Sequence, residues 1–315
     1  RSTFSTSNTL QYSRRKNRNY LWALVGTEYV HNTRWADRFG NLALPTDAFG
    51  INNIDVATRP TMARTDFQED ALFSFFGRVN YNLSNNKYLF TATYRADGSS
   101  KFQGDNRWGH FPAFSGAWQI AKENFMNNVN FVNSLKLRAG WGLTGNNGVG
   151  AYSSQNQFGI AIWNPYAFGA GEEYQPGAVQ TTFAVPDLRW EKTAQTNFGL
   201  DFSMLSSRLS GTIDYYDKKT EDLLLWGDMA LSTGFSAVPQ NVGSVSNKGF
   251  EITLSGLIVN KNDFSWNSSI NISTNKNEVL ALNDGQEFIK SDPRIQWNNE
   301  FYYISAVGQP VGMMY

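Results

Sequence analysis

Several stretches of this chain alternate residue by residue between apolar and polar side chains, and each resumes the alternation across a short turn. Phe73, Phe75, Val79, Tyr81 and Leu83 alternate with Ser74, Arg78, Asn80 and Asn82, with Phe76 alone out of step. Beyond residues 84–87 the pattern restarts, with Tyr88, Phe90, Ala92 and Tyr94 opposite Thr91, Thr93 and Arg95. Phe198, Leu200, Phe202 and Met204 do the same, then Leu209, Ile213 and Tyr215 after Ser206 and Ser207. A third hairpin pairs Phe250, Ile252, Leu254 and Ile258 with Phe264, Trp266, Ile270 and Ile272 across 260–263. A period of two is the signature of a two-faced β-strand, so the fold class is all-β and antiparallel. Weaker strands are expected near 4–12, 20–29 and 113–120.

The same grammar disposes of a tempting motif. SLKLRAGWGLTGNNGVG, Ser134 to Gly150, contains G-x-G-x-x-G at Gly140, Gly142 and Gly145. A dinucleotide site needs a helix to start at the last glycine, so that its N-terminus can hold the pyrophosphate. Here Leu135, Leu137, Ala139, Trp141 and Leu143 continue one strand through the glycines, and loop composition follows. Gly140 and Gly142 are expected on the polar face, leaving room for a plug or a neighbouring backbone. Gly145, Gly148 and Gly150 are expected to open an external loop.

Alternation alone also fits a soluble sandwich, so the connections carry the distinction. They run short (13–19), long (30–70), short (84–87), long (97–111), medium (121–132), long (145–189), short (206–207), long (218–246), short (260–263) and long from 276. This rhythm never slips phase. An up-and-down transmembrane barrel has it, with tight turns at the periplasmic rim and large loops outside. Tyr81, Tyr88, Trp118, Trp141, Tyr215 and Trp266 are expected as interfacial girdles.

Composition removes other classes. Lys plus Arg and Asp plus Glu are 27 each, so the net charge is zero and no electrostatic footprint for nucleic acid exists. Cysteine is absent and histidine occurs twice, at His31 and His110, which leaves no thiolate metal site and little imidazole for a triad. No run approaches the roughly 20 apolar residues of a membrane helix. Aromatics are 15% of residues and charged residues 17%, a balance that calls for much apolar surroundings.

RADGSSKF (Arg95 to Phe102), NRWGHFPAFSGAW (Asn106 to Trp118), LKLRAGWGLTGN (Leu135 to Asn146), LRWEKTAQTNFGLD (Leu188 to Asp201), DYYDKKTEDLL (Asp214 to Leu224), STGF (Ser232 to Phe235) and NVGSVSNKGFE (Asn241 to Glu251) occur in this order. Together they resemble the barrel of SusC/RagA-like TonB-dependent outer-membrane transporters of Bacteroidetes, from about Phe73 onward. The resemblance implies an antiparallel transmembrane β-barrel, of which this chain supplies about ten of about 22 strands. Residues 1–315 are then one part of a single barrel domain, with plug, N-terminal extension and C-terminal strands elsewhere. It further implies location in the Gram-negative outer membrane with long loops outside, TonB-energised import of a glycan fragment or oligopeptide, a SusD-like surface lipoprotein as lid, and lipid around the wall. A soluble carbohydrate-binding β protein and an outer-membrane adhesin or enzyme are the competing readings.

No catalytic residue, metal ligand or cofactor is assigned, and the chain is read as non-enzymatic. Glu172 with Glu173, Asp214 with Asp217, and Glu221 with Asp222 are carboxylate neighbours in sequence, but such spacing fixes no geometry. Asp97, Gly98 and Ser99 lack calcium-loop spacing and are expected as a turn. The stretch Ile160 to Gln175 carries Trp163, Tyr166, Phe168 and Tyr174 in an otherwise polar external loop. These four are the candidate ligand contacts, because exposed aromatics stack on sugar rings or peptide side chains; packing on one another is the bland alternative.

Overall fold

The computed structural model describes residues 1–42, 59–168, 173–283, 286–290 and 303–314; at 39–42, 59–64, 160–168 and 173–176 it describes backbone alone. Ten strands form one antiparallel sheet in which each pairs with the next: β1 (Ser2–Lys16), β2 (Asn19–Leu42), β3 (Arg59–Leu83), β4 (Tyr88–Ser99), β5 (Trp108–Gln119), β6 (Val132–Asn146), β9 (Glu191–Met204), β10 (Leu209–Glu221), β13 (Ser244–Lys261) and β14 (Phe264–Ala281). The sheet is open, with β1 and β14 at its edges. Between these strands lie two separate hairpins, β7 (Gln157–Phe168) with β8 (Glu173–Thr182), and β11 (Leu224–Asp228) with β12 (Ala237–Asn241). A small sheet of β15 (Phe288–Lys290), β16 (Tyr303–Ala306) and β17 (Met313–Met314) follows β14.

The ten expected wall strands are present, and every short turn lies at one rim. These turns use left-handed backbone at Asn17, at Ser84 to Asn86, at Leu205 to Ser207 and at Asn262, a conformation that small polar residues tolerate best. The medium connection at 121–132 is made of single 3-10 turns and stays at the same rim.

The expected long loops need correction. Strand β2 runs on to Leu42 and β3 begins at Arg59, so much of 30–70 is strand. Asp97 to Ser99 close β4 rather than forming a turn. Residues 145–189 and 218–246 contain the two extra hairpins. For β2 the reason is water on both sides, whereas Asp97 and Ser99 are polar residues that β4 buries. Where both faces of a strand meet water, polar residues such as Arg34 and Asp37 occupy either face, and alternation no longer marks the strand.

Cross-strand register shows how the sheet is tilted. One continuous row of directly paired residues runs Arg14, Leu21, Tyr81, Phe90, Gly116, Ala139, Phe198, Tyr215, Phe250 and Thr274. Arg14 is two residues from the short-turn end of β1, whereas Thr274 is ten residues from the short-turn end of β14. This stagger is the shear that makes barrel strands lean on the barrel axis. The next row, towards the long connections, passes Tyr12, Ala23, Val79, Ala92, Phe114, Trp141 and Thr196, then ends in Asp217, Lys248 and Lys276. An apolar band thus crosses the rows obliquely. A leaning strand set in a flat hydrocarbon slab produces that pattern, because one row meets different depths on different strands.

The band also corrects the girdle expectation. Tyr81, Tyr88, Trp118 and Trp266 lie near the short-turn rim as expected. Tyr215 lies inside β10, yet it marks the other boundary, since Asp217 and Lys248 follow on the same face and form a 3.1 Å ion pair. Trp141 belongs to neither boundary; its ring stacks on Phe114 at 6.4 Å in the middle of the sheet. Phe76, the one break in alternation, is on the polar face directly opposite Gly26. A Cβ at Gly26 would stand 2.6 Å from the Phe76 ring, so the glycine makes the space that the ring fills.

Candidate functional site

The polar face carries two cross-strand charge clusters. In the first, Arg138 on β6 donates to Asp201 on β9 at 2.6 Å and to Asp214 on β10 at 2.9 Å, and Lys136 adds a 3.4 Å ion pair with Asp201. Arg138, Gly199 and Asp214 are directly opposite one another. A Cβ at Gly199 would lie 2.6 Å from the Arg138 guanidinium, so the glycine is what lets arginine reach across a strand. In the second, Arg95 donates to Glu28 at 2.8 Å, to Asp97 at 2.6 Å and to buried Ser74 at 2.8 Å, while its guanidinium lies 5.5 Å from the centre of the Phe76 ring. Both clusters fix long side chains flat against the wall, which suits a face turned towards a polar interior.

Beside the first cluster is a groove of about 420 Å³ lined by Thr91, Ser115, Lys136, Arg138, Asn197 and Gly199. Gly140 and Gly142 are on this polar face, as expected. Gly142 sits against Ala113, where a Cβ would approach the alanine Cβ to 2.8 Å, while Gly140 has ordinary space beside Ser115. A larger depression of about 520 Å³ among Tyr81, Phe90, Phe114, Trp141 and Phe198 is on the apolar face. It suits hydrocarbon chains and offers a polar substrate almost nothing.

Above the band, the roots of the long connections are pinned together. Phe102, Phe111, Leu188 and Trp190 form a buried cluster, with the Trp190 ring 5.5 Å from Phe102 and 5.4 Å from Phe111. Gly145 is within β6 under the Phe111 ring rather than in an opening loop. Asn241 accepts from the Arg189 backbone N–H at 2.8 Å and donates to the Arg189 carbonyl at 2.8 Å and to the Asp222 carbonyl at 2.9 Å. The Arg189 side chain donates to the Asp222 carboxylate at 2.7 Å. This clamp joins the entry to β9, the exit from β10 and the end of β12. The motifs LRWEK, DYYDKKTEDLL and NVGS contain its residues, but nothing in the sequence pairs them.

The four candidate aromatics are on the β7–β8 hairpin, which the expectation of an irregular loop missed. Backbone register sets Tyr166 opposite Gln175, Ala167 opposite Tyr174 and Phe168 opposite Glu173; Trp163 falls in the irregular stretch between Ala161 and Tyr166. Their side chains lie outside the described residues. The carboxylate neighbours do not form pairs: Asp214 meets Arg138 and Asp217 meets Lys248 on opposite faces, while Glu221 meets Lys219 and Asp222 meets Arg189. Glu172 lies outside the described residues.

At the short-turn rim Glu123 collects three donors: Tyr88 at 2.7 Å, Lys87 at 3.0 Å and Trp118 at 3.0 Å. The Tyr88 hydroxyl foremost, with Lys87 and the Trp118 indole, holds its carboxyl down at about 2.

The family described as TonB dependent receptor-like, beta-barrel, matches residues 1–305. TonB-dependent receptor P39 of Formosa agariphila is 39% identical over 252 residues, covering 80% of this chain and 22% of the relative. TonB-dependent receptor SusC of Bacteroides thetaiotaomicron is also 39% identical over 252 residues, covering 78% of this chain and 25% of the relative. Among solved structures, the RagAB peptide transporter superposes with a TM-score of 0.82 at 28% identity, over 99% of this chain and 33% of that one. The outer membrane transporter YddB from Escherichia coli shares the fold at a TM-score of 0.63 and 13% identity, over 98% of this chain and 38% of that one. The chain therefore spans about a quarter of the length of these curated relatives.

Proposed function

This chain belongs to the TonB-dependent receptor-like β-barrel family, and on that premise we propose that it forms ten consecutive wall strands of an importer for a glycan fragment or an oligopeptide. Barrels of this family reside in the outer membrane, and the oblique apolar band is the face that meets its lipid. Import is energised through TonB, and a SusD-like lipoprotein covers the long connections at the cell surface. The plug, the TonB-contacting segment and the remaining strands belong to other parts of the same polypeptide. The observation that carries this reading is the coincidence of a leaning ten-strand wall, apolar outside and charge-laced inside, with relatives that are themselves named TonB-dependent receptors.

The four aromatics of the β7–β8 hairpin are proposed as ligand contacts. The hairpin emerges on the long-connection side, where an arriving solute meets the wall first, and aromatic faces bind sugar rings and peptide side chains alike. The role of the wall is passive. It holds Arg95 and Arg138 in ion pairs with inward carboxylates, so that these two cations do not trap a sugar or a peptide.

The test is uptake by cells carrying the full-length gene, with labelled oligosaccharide and oligopeptide pools offered in parallel. Depletion of one pool, abolished by deleting TonB, is the expected result. Depletion that continues unchanged without TonB would remove the active-transport reading.

A further inference from the structure

The first 27 residues contain five basic side chains, Arg1, Arg14, Arg15, Lys16 and Arg18, and no acidic one. Four of them converge on the β1–β2 turn, where all are exposed. Among the described residues none of the four forms an ion pair with a carboxylate, whereas Arg95 and Arg138 on the polar face are each held by two. Their faces differ. Arg15 is opposite Tyr20 on the inward side, and its guanidinium lies 5.7 Å from the centre of that ring. Arg14 is in the row of Leu21, Tyr81 and Phe90, and Lys16 is on the same side of β1. Going towards the turn, the outward face of β1 therefore reads Leu10, Tyr12, Arg14, Lys16, the first two 72% and 53% exposed.

We propose that Arg14 and Lys16, aided by Arg18 in the turn, form a binding site for the phosphate of anionic phospholipids in the periplasmic leaflet. The proposal rests on the orientation adopted above, with short turns towards the periplasm. The outward face is continuous with the lipid-facing band, so whatever meets Arg14 must stand beside the acyl chains that cover Leu10 and Tyr12. A lipid headgroup does so, while a soluble acidic protein cannot without displacing lipid. Long cationic side chains at a band edge extend along apolar surface and deliver their charge to headgroup level. A guanidinium and an ammonium two residues apart on one face supply several donors to phosphate oxygens.

The experiment uses the full-length protein in phosphatidylcholine nanodiscs doped with spin-labelled phosphatidylglycerol or spin-labelled phosphatidylcholine, reading the immobilised fraction of each. Wild type should select phosphatidylglycerol, and the selectivity should fall about fivefold for each of Arg14→Gln and Lys16→Gln. It should shrink in high salt, survive in Arg14→Lys, and be untouched by Arg15→Gln on the opposite face. Heat-modifiable migration identifies variants that remain folded, and the conservative lysine variant covers the case in which Arg14→Gln does not. Equal retention of both lipids by wild type would overturn the proposal, as would selectivity that persists in the double glutamine variant. Orientation is checked separately in whole cells with an impermeant thiol reagent, which should label Leu231→Cys and spare Asn86→Cys. The reverse labelling would sink the orientation while leaving the nanodisc preference measurable.

Discussion

Asn241 grips Arg189 by both backbone groups, accepting from its N–H and donating to its carbonyl at 2.8 Å each. The two residues are 52 positions apart, and the contact ties the end of the β11–β12 hairpin to the approach of β9. Asparagine suits the task because its amide carries an acceptor and a donor side by side.

Asn241→Ala in the full-length protein should therefore remove two hydrogen bonds to the exposed Arg189 backbone, at a cost of about 0.5–1.5 kcal/mol each. The loss should be local. Protease cleavage within 145–189 and 218–243 should accelerate on intact cells while heat-modifiable migration stays normal. Unchanged cleavage would show that the clamp is dispensable for ordering the long connections.

Leu137 and Lys136 test the two faces of one strand. Leu137 is 44% exposed on the apolar side, and Lys136 contributes one of several contacts to Asp201. Leu137→Arg should destabilise the barrel by about 2–4 kcal/mol at the midplane and less near an interface, whereas Lys136→Ser should cost little because Arg138 still holds Asp201. Unfolding in lipid vesicles measures both. Similar sensitivity at the two positions would contradict a lipid-facing band.

Gly199 should resist substitution although it carries no chemistry. Its missing side chain is the space crossed by Arg138 on the way to Asp214, so Gly199→Ala should displace the guanidinium and cost roughly 1–3 kcal/mol. Gly116→Ala is the control, since a Cβ there finds the Phe90 ring at an ordinary 3.7 Å. Equal unfolding midpoints for the two variants would refute the crossing.

Glu123 sets a pH dependence at the short-turn rim. Its folded value of about 2 lies below the ordinary 4.5, so the carboxylate stabilises the fold above 4.5 and that contribution is lost as pH falls towards 2. Trp118 reports the event directly through its indole N–H. Its fluorescence should titrate with a midpoint near 2 in wild type and stay flat in Glu123→Gln; a midpoint near 4.5 would mean that the three donors do not hold the carboxylate.

Replacing both Trp163 and Tyr166 with alanine should reduce substrate affinity about tenfold, from stacking losses of about 1–2 kcal/mol, without changing outer-membrane level or heat-modifiable migration. Folding and uptake falling together would make these residues hairpin core. Normal uptake at normal level would remove them from the site.

The sequence alone determined what repeats along the strand. Period-two alternation identified the ten wall strands, their tight turns and the inward position of Gly140 and Gly142, because pleat geometry converts parity into face without reference to any neighbour. Ordered motifs from Arg95 to Glu251 pointed to the family. Tertiary structure decided everything that depends on register. Phe76 looked like an error in the pattern until Gly26 was placed opposite it. Arg138 finds Asp214 only because Gly199 stands between them, and Asn241 finds Arg189 only once two hairpins have folded back. Strand length above the band was equally hidden, since residues with water on both sides carry no alternation to read. Parity is a property of one strand and can be read along it, whereas stagger belongs to pairs of strands and exists only when the sheet is assembled.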